Sequence, residues 1–499
     1  MGTRSEPTDP RSAPLLESGA PISTGGGGPA PRPRGAWWPS LAIVAAHLAA
    51  AWPLISSGNM RGRAAFDQLN YHEKVVRTFV QQWPNVDPSD YLSATTPLYH
   101  VLVAGAGKVL GVGGNPGAGV GGLQWAGAVF TCGLLALLAR ALSMSNPAPR
   151  ALLHTLIVAA SVYVFPAGVW LLPDNLAWLL VLGVLLIAWR ARFDAILLLG
   201  GGTLLLLLVL TRQSHLWAAG VLWAGAWAAP IGKEETEADR SPGVGVLWAR
   251  ADVRLMRTMI MAVATLPAFA AVYSFYKLWG HQLYPPTFAA QFDPSPNPAT
   301  PAFVLAVLGM YSAFFAGELL PRLGRLWRTA RAYLLGVALA ALALAIIPRT
   351  TYSLDAGRFS GLWDLAARFP SVQGRSVLIT ALATWGAASL LAWTITLPRR
   401  ERLVVGVALA GFMAAMSTGH YAWQRYVEPF ALLVLVLLAA RAGRAATGRV
   451  LGLARVAGPA LLAALMVGLS VRDVLRAEPA ADMHTGIGHV PAMPRDGAR

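Results

Sequence analysis

The chain has 499 residues, 55% of them hydrophobic and 13% charged, and a formal net charge of +16. A soluble protein carries about a quarter charged residues. Continuous apolar runs such as LLVLGVLLIAWR and LLLGGGTLLLLLVL exclude both a soluble domain and the alternating strands of a membrane β-barrel. The basic residues are mostly Arg and lie scattered between apolar segments, as topology signals do, which argues against a nucleic-acid partner.

Only helices and closed barrels satisfy their backbone in lipid, so the expected fold is all-α, a polytopic membrane protein. Residues 1–35 hold the tract GGGGPAPRPRG; such composition builds no core and reads as a disordered cytoplasmic tail. A first uncleaved span is expected at 37–55. Further spans are expected at 121–140, 151–171, 174–190, 196–212, 215–231, 258–279, 302–320, 332–347, 377–397, 403–418, 426–441 and 450–470, about 13 in all. The transmembrane domain is thus 36–470, with a structured loop at 56–120 and a flexible tail at 471–499. One cysteine, Cys132, lies in an apolar run, so no intrachain disulfide forms.

Residues 94–112 could be a span or an interfacial helix. If they do not cross, the linkers at 140–150, 190–195, 232–257, 321–331, 398–402 and 441–455 share the cytoplasmic face and hold half of the 40 Lys and Arg. If they cross, those linkers flip outside, against the positive-inside bias. Thr95-Thr96-Pro97, His100 and Lys108 also suit an interfacial helix. With this parity 56–112, Asp174, 212–215, His281, 349–375 and 420–428 collect on the external face.

Asp67 stands in AFDQLNYHEKVV, where Asp67, Tyr71 and Lys74 fall at helical spacing with His72 near that face. It reads as a helix N-cap or as a reactive carboxylate just above the membrane. Asp87 and Asp90 read as turn residues around Pro88. Asp174, in Leu172-Pro173-Asp174-Asn175, either caps the next helix or faces a cavity. Arg212, Gln213 and His215 interrupt an apolar run; intramembrane ionisable groups mark functional sites, and an arginine snorkelling at a helix end is the competing reading. Arg349, Arg358, Arg368 and Arg375 punctuate one loop, either as phosphate ligands or as solvated charges. Arg425 and Glu428, after His420, could form a structural ion pair. No D-x-D metal motif occurs at Asp67; no metal ligand is assigned, and metal dependence stays open.

Three places resemble the GT-C class of membrane glycosyltransferases, and most nearly the DIE2/ALG10 family of dolichyl-phosphate-glucose α-glucosyltransferases. An acidic motif, Asp67 to His72, follows the first span and is closed by Thr95-Thr96-Pro97-Leu98-Tyr99. Arg212-Gln213 ends a span, with Trp217 after it. Arg425-Tyr426 precedes an apolar run with Pro429 near its start. Two departures stand out: Asp67-Gln68 where the family has an acidic pair, and Pro97-Leu98 where many members have Pro-Pro-Gly.

The resemblance implies hexose transfer from a polyprenyl-phosphate donor to a glycan or lipid-linked acceptor at the external face of the lipid bilayer. Asp67 would be the catalytic base. Arg212, Arg425, Arg349, Arg358 and His420 would bind the donor phosphate, and His72, Asp174, Gln213, Tyr71 and Glu428 the sugar or acceptor. The Ala, Gly and Arg-rich composition suggests a bacterial inner membrane, with the N-terminus cytoplasmic. A transporter or flippase of a lipid-linked sugar is the alternative; no internal repeat supports it.

Overall fold

The computed structural model describes residues 36–112, 119–190, 192–231, 250–289, 295–441 and 449–480. The tail expected at 1–35 and the end of the C-terminal tail, 481–499, lie outside the described residues. Among the described residues the fold is all-helical apart from a two-stranded turn, Ser371–Val372 against Arg375–Ser376, and two isolated bridges.

Helix α1 spans Trp38–Ser57. The first loop then folds into α2, Gly62–Asp67, a π-helical turn over Gln68–His72, α3 over Glu73–Gln82 and α4 over Leu98–Val109. The bundle continues with α5, Val120–Ser143, α6, Ala148–Ala159, α7, Val164–Ala167, and α8, Asp174–Trp189. Next come α9, Gly201–Thr211, α10, Ala218–Ala228, α11, Ala251–Leu278, and α12, Pro286–Ala289. Then follow α13, Thr300–Ser312, α14, Ala316–Thr329, α15, Arg331–Ile346, and α16, Leu362–Ala366. The last four are α17, Val377–Thr394, α18, Arg399–Ser417, α19, Gln424–Arg441, and α20, Arg449–Arg476.

Among the described residues six helical stretches are long and apolar enough to cross a bilayer, and five shorter apolar helices accompany them. The chain is an integral, multi-pass membrane protein. Helix α4 has 12 residues; at 1.5 Å per residue it is roughly 18 Å long, well short of a bilayer core of about 30 Å. It packs against α3 and α5.

Several boundaries differ from the sequence expectation. The span expected at 151–171 breaks after Ala159 and resumes as α7. The linker expected at 321–331 is helical to Thr329, so 300–329 forms one apolar stretch. The tail expected from 471 is overturned at its start: α20 runs on to Arg476. Backbone bonds then tie the following residues to the first loop, from Gly62 N to Glu478 O and from Ala480 N to Met60 O, each 3.0 Å.

The loops meet at one end of the bundle. Trp279 Nε1 donates to Pro88 O at 3.0 Å. Thr287 N donates to Asp90 Oδ1 at 2.9 Å. Asn297 Nδ2 bonds Ala356 O and His420 O at 2.9 and 2.8 Å, and Trp363 Nε1 reaches Ala422 O at 2.7 Å. Basic residues at the start of α11 serve another helix end: Arg254 and Arg257 donate to the carbonyls of Trp227, Ala229 and Pro230 that close α10.

Helices α13 and α17 cross closely because both present glycine. A Cβ on Gly309 would meet the Leu382 carbonyl, and one on Gly386 the Leu305 carbonyl. Both obstacles are backbone, so neither yields by rotating a side chain. Gly386→Ala therefore forces the pair apart and costs about 1–3 kcal/mol or more. A fall in the melting temperature of detergent-purified protein checks this; an unchanged value contradicts it.

Candidate functional site

Four charged residues far apart in sequence meet at the loop end, each at a helix terminus. Asp67 closes α2, Asp174 opens α8, and Arg425 lies in the first turn of α19. Arg212 follows α9 in extended backbone, φ −151° and ψ 106°, which carries its side chain off the helix. Arg425 Nη1 donates to Asp67 Oδ2, and Arg425 Nη2 lies 3.9 Å from Asp174 Oδ2. Arg212 Nη1 donates to Asp174 Oδ1 at 3.0 Å. The Tyr426 ring faces both guanidinium groups, at 5.1 Å from Arg212 and 5.3 Å from Arg425.

The order Asp67–Arg425–Asp174–Arg212 alternates sign and is neutral as a set. These side chains keep between 10% and 18% of their accessibility, so they are mostly desolvated yet reachable. Two such pairs add little to stability, but removing one member strands the others and costs about 3–5 kcal/mol. Asp67 is not an N-cap: it sits at the C-terminal end of α2, where the π turn begins. Single π turns inside helices are frequent at functional sites. This turn also shifts the face expected from α-helical spacing, so that Gln68 Nε2 bonds Glu73 Oε2, five residues on, at 3.0 Å.

A cavity of about 880 Å³ opens beside the cluster. Asp174 and Arg425 line it, whereas Asp67 lies behind Arg425 and is not among the lining residues. Five arginines and three aspartates line the cavity, with Tyr163 and Trp423 among its aromatic walls. The positive excess and the rings suit an anionic ligand carrying a sugar. Arg63, in α2, stacks over the Trp423 ring at 4.8 Å.

The other expected residues divide. His72 and Tyr71 lie beside the cluster in the π turn. His72 Nδ1 is 3.0 Å from His100 Nε2, and Tyr71 packs edge-on to Phe66 and Phe288. Gln213 is committed to backbone, donating to Ala94 O at 2.9 Å and Leu283 O at 2.7 Å. Glu428 is fully buried. It accepts from Ser161 Oγ at 2.6 Å, Tyr311 Oη at 2.5 Å and Gln424 Nε2 at 2.6 Å, so it pairs with neither Arg425 nor the cavity.

Arg349, Arg358 and His420 do not join Arg212 and Arg425. Arg358 Nε donates to Thr351 O at 2.8 Å, where burial and the neighbouring Arg349 lower its pKa. His420 Nδ1 is 2.8 Å from Ser295 Oγ. Sequence reasoning missed Arg63, Arg472 and Arg476, which line the cavity. The signal for the last two was available: a basic pair four residues apart at the end of α20.

The histidine pair makes stability depend on pH. Burial lowers the pKa of His72 to about 4, against a smaller raising effect of Asp67, and burial with His72 nearby also lowers that of His100. An unfolded histidine takes its proton near 6.5. Below that pH the unfolded chain therefore binds more protons than the folded one. Stability is full above pH 6.5 and falls as pH drops towards 4, by roughly 3 kcal/mol for His72. Melting temperatures across this window should fall for the wild type and fall less for His72→Gln; equal slopes contradict the assignment. Among the described residues no three His, Cys, Asp or Glu side chains gather as metal ligands.

No known family model matches the chain, and no curated protein does. Among solved structures it is similar to the crystal structure of ArnT from Cupriavidus metallidurans in the apo state. Identity is 14%, coverage is 80% of this chain and 76% of that one, and the TM-score is 0.30.

Proposed function

We propose that the protein is a GT-C-type glycosyltransferase, which moves a sugar from a polyprenyl-phosphate donor to an acceptor hydroxyl at the external membrane face. The observation that carries this reading is the linked set of Asp67, Arg425, Asp174 and Arg212, of which Arg425 and Asp174 line an arginine-rich cavity. The three motifs that resemble the class supply Asp67, Arg212 and Arg425, one each, and these three come together.

In the proposed reaction the acceptor oxygen attacks the anomeric carbon as the bond from that carbon to the phosphate oxygen breaks. The bonding pair leaves with the lipid phosphate, and the acceptor proton passes to a carboxylate. Asp67 is the proposed base. Its Oδ2 is held by Arg425, and its Oδ1 accepts no hydrogen bond among the described residues. Arginines facing the cavity stabilise the charge that develops on the phosphate. Direct displacement inverts the anomeric centre. We place the protein in a bacterial inner membrane with its N-terminus in the cytoplasm.

The test is lipid-phosphate release by purified full-length protein offered a panel of radiolabelled polyprenyl-phosphate hexoses. Release from one donor supports transfer and names the sugar. Folded protein that releases nothing from any donor favours a transporter, which liposome flux would then detect.

A further inference from the structure

Two more cavities extend the large one towards the lipid. A groove of about 290 Å³ lies between α1, α6 and α20, walled by Ala46, Ala50, Leu156, Val467 and Val471. It shares Leu54, Phe165, Val474 and Leu475 with a smaller pocket of about 230 Å³. That pocket adds Ser57, Asn59 and Arg61, and shares Ala64, Pro166 and Asp473 with the 880 Å³ cavity. The path thus runs from apolar through mixed to charged lining. Val471 and Leu475, which line the groove, are exposed.

At the inner end α20 presents Arg472 and Arg476, one helical turn apart. The ties from Gly62 to Glu478 and from Met60 to Ala480 hold this end of α20 against the segment that carries Arg63. Among the described residues the side chains of Arg472 and Arg476 make no hydrogen bond or ion pair, Arg472 having only an electrostatic attraction to the neighbouring Asp473, whereas Arg212 and Arg425 are each hydrogen-bonded to a carboxylate. An arriving anion gains more from unpaired guanidinium groups than from paired ones.

We infer that the groove between α1 and α20 holds the long apolar chain of a lipid-borne phosphate, and that Arg472 and Arg476, with Arg63 beside them, receive its phosphate. This rests on the reading above and moves the first phosphate seat from Arg212 and Arg425 to the last helix. A protein partner would leave the gradient unexplained. An amphiphile with one hydrocarbon end and one anionic end matches it throughout.

The experiment uses the full chain in nanodiscs and a polyprenyl monophosphate carrying a diazirine on its chain. Expected labelling falls on α1 and α20 and is competed by unlabelled polyprenyl monophosphate but not by polyprenol. The double variant Arg472→Gln/Arg476→Gln weakens that competition about tenfold or more. Ala50→Trp, at an exposed site in the groove, removes the labelling. Labelling elsewhere, or labelling that polyprenol competes equally, overturns the inference and leaves bulk lipid as the occupant. Competition by inorganic phosphate alone, with labelling indifferent to Ala50→Trp, overturns it in favour of a free-phosphate site. Lipid-phosphate release on the same samples separates the two readings. Release without groove labelling sinks only this inference, and groove labelling without release sinks only the transferase.

Discussion

Asp67→Asn abolishes sugar transfer while the protein still inserts and folds, with a melting temperature lowered by the charge left on Arg425. The expected loss is about 10²–10⁴-fold, the usual contribution of a positioned general base. The substitution is chosen for its shape: an Asn side-chain oxygen can still accept from Arg425, which now donates to Asp67 Oδ2. What it cannot do is take the acceptor proton. The Arg425–Asp174–Arg212 contacts remain in place, so a loss of activity cannot be ascribed to collapse of the cluster. Normal turnover by this variant would remove Asp67 as the base. Asp174, which lines the cavity directly, would then take its place, and Asp174→Asn would be the variant to fail.

Glu428→Ala has the second large effect, and it falls on stability. Three donors converge on this carboxylate, from Ser161, Tyr311 and Gln424, and each stranded donor costs about 1–3 kcal/mol. The sum is of order 3 kcal/mol or more, read as an earlier melting transition in detergent. Glu428→Gln should lose less, because it keeps the volume and one acceptor but sets an amide donor against donors. The contrasting outcome is informative. A Glu428→Ala protein that melts normally yet fails to turn over would return Glu428 to the substrate, as sequence reasoning had it.

Much of the architecture was legible in the sequence because the bilayer leaves few choices. Apolar run length gave an all-helical membrane protein. The same reasoning singled out Asp67, Asp174, Arg212 and Arg425 one by one, each as an ionisable residue at an apolar boundary. It set Arg349, Arg358 and His420 behind Arg212 and Arg425 but kept them as phosphate ligands, and they settle elsewhere. Nor could it separate Glu428 from Arg425: three residues apart, they read as an ion pair, but the helix carries one to the cavity edge and the other into the core.

By itself, then, the sequence determined that the chain lies in the membrane, which loops share an end, and which polar residues need an explanation. Solvation by lipid acts on each segment separately, so it can be read segment by segment. Only the tertiary structure decided that residues 67, 174, 212 and 425 are one group. It alone turned the first part of an expected tail into a wall of the cavity. Those outcomes depend on which helix ends pack together, an interaction between segments hundreds of residues apart that no local pattern encodes.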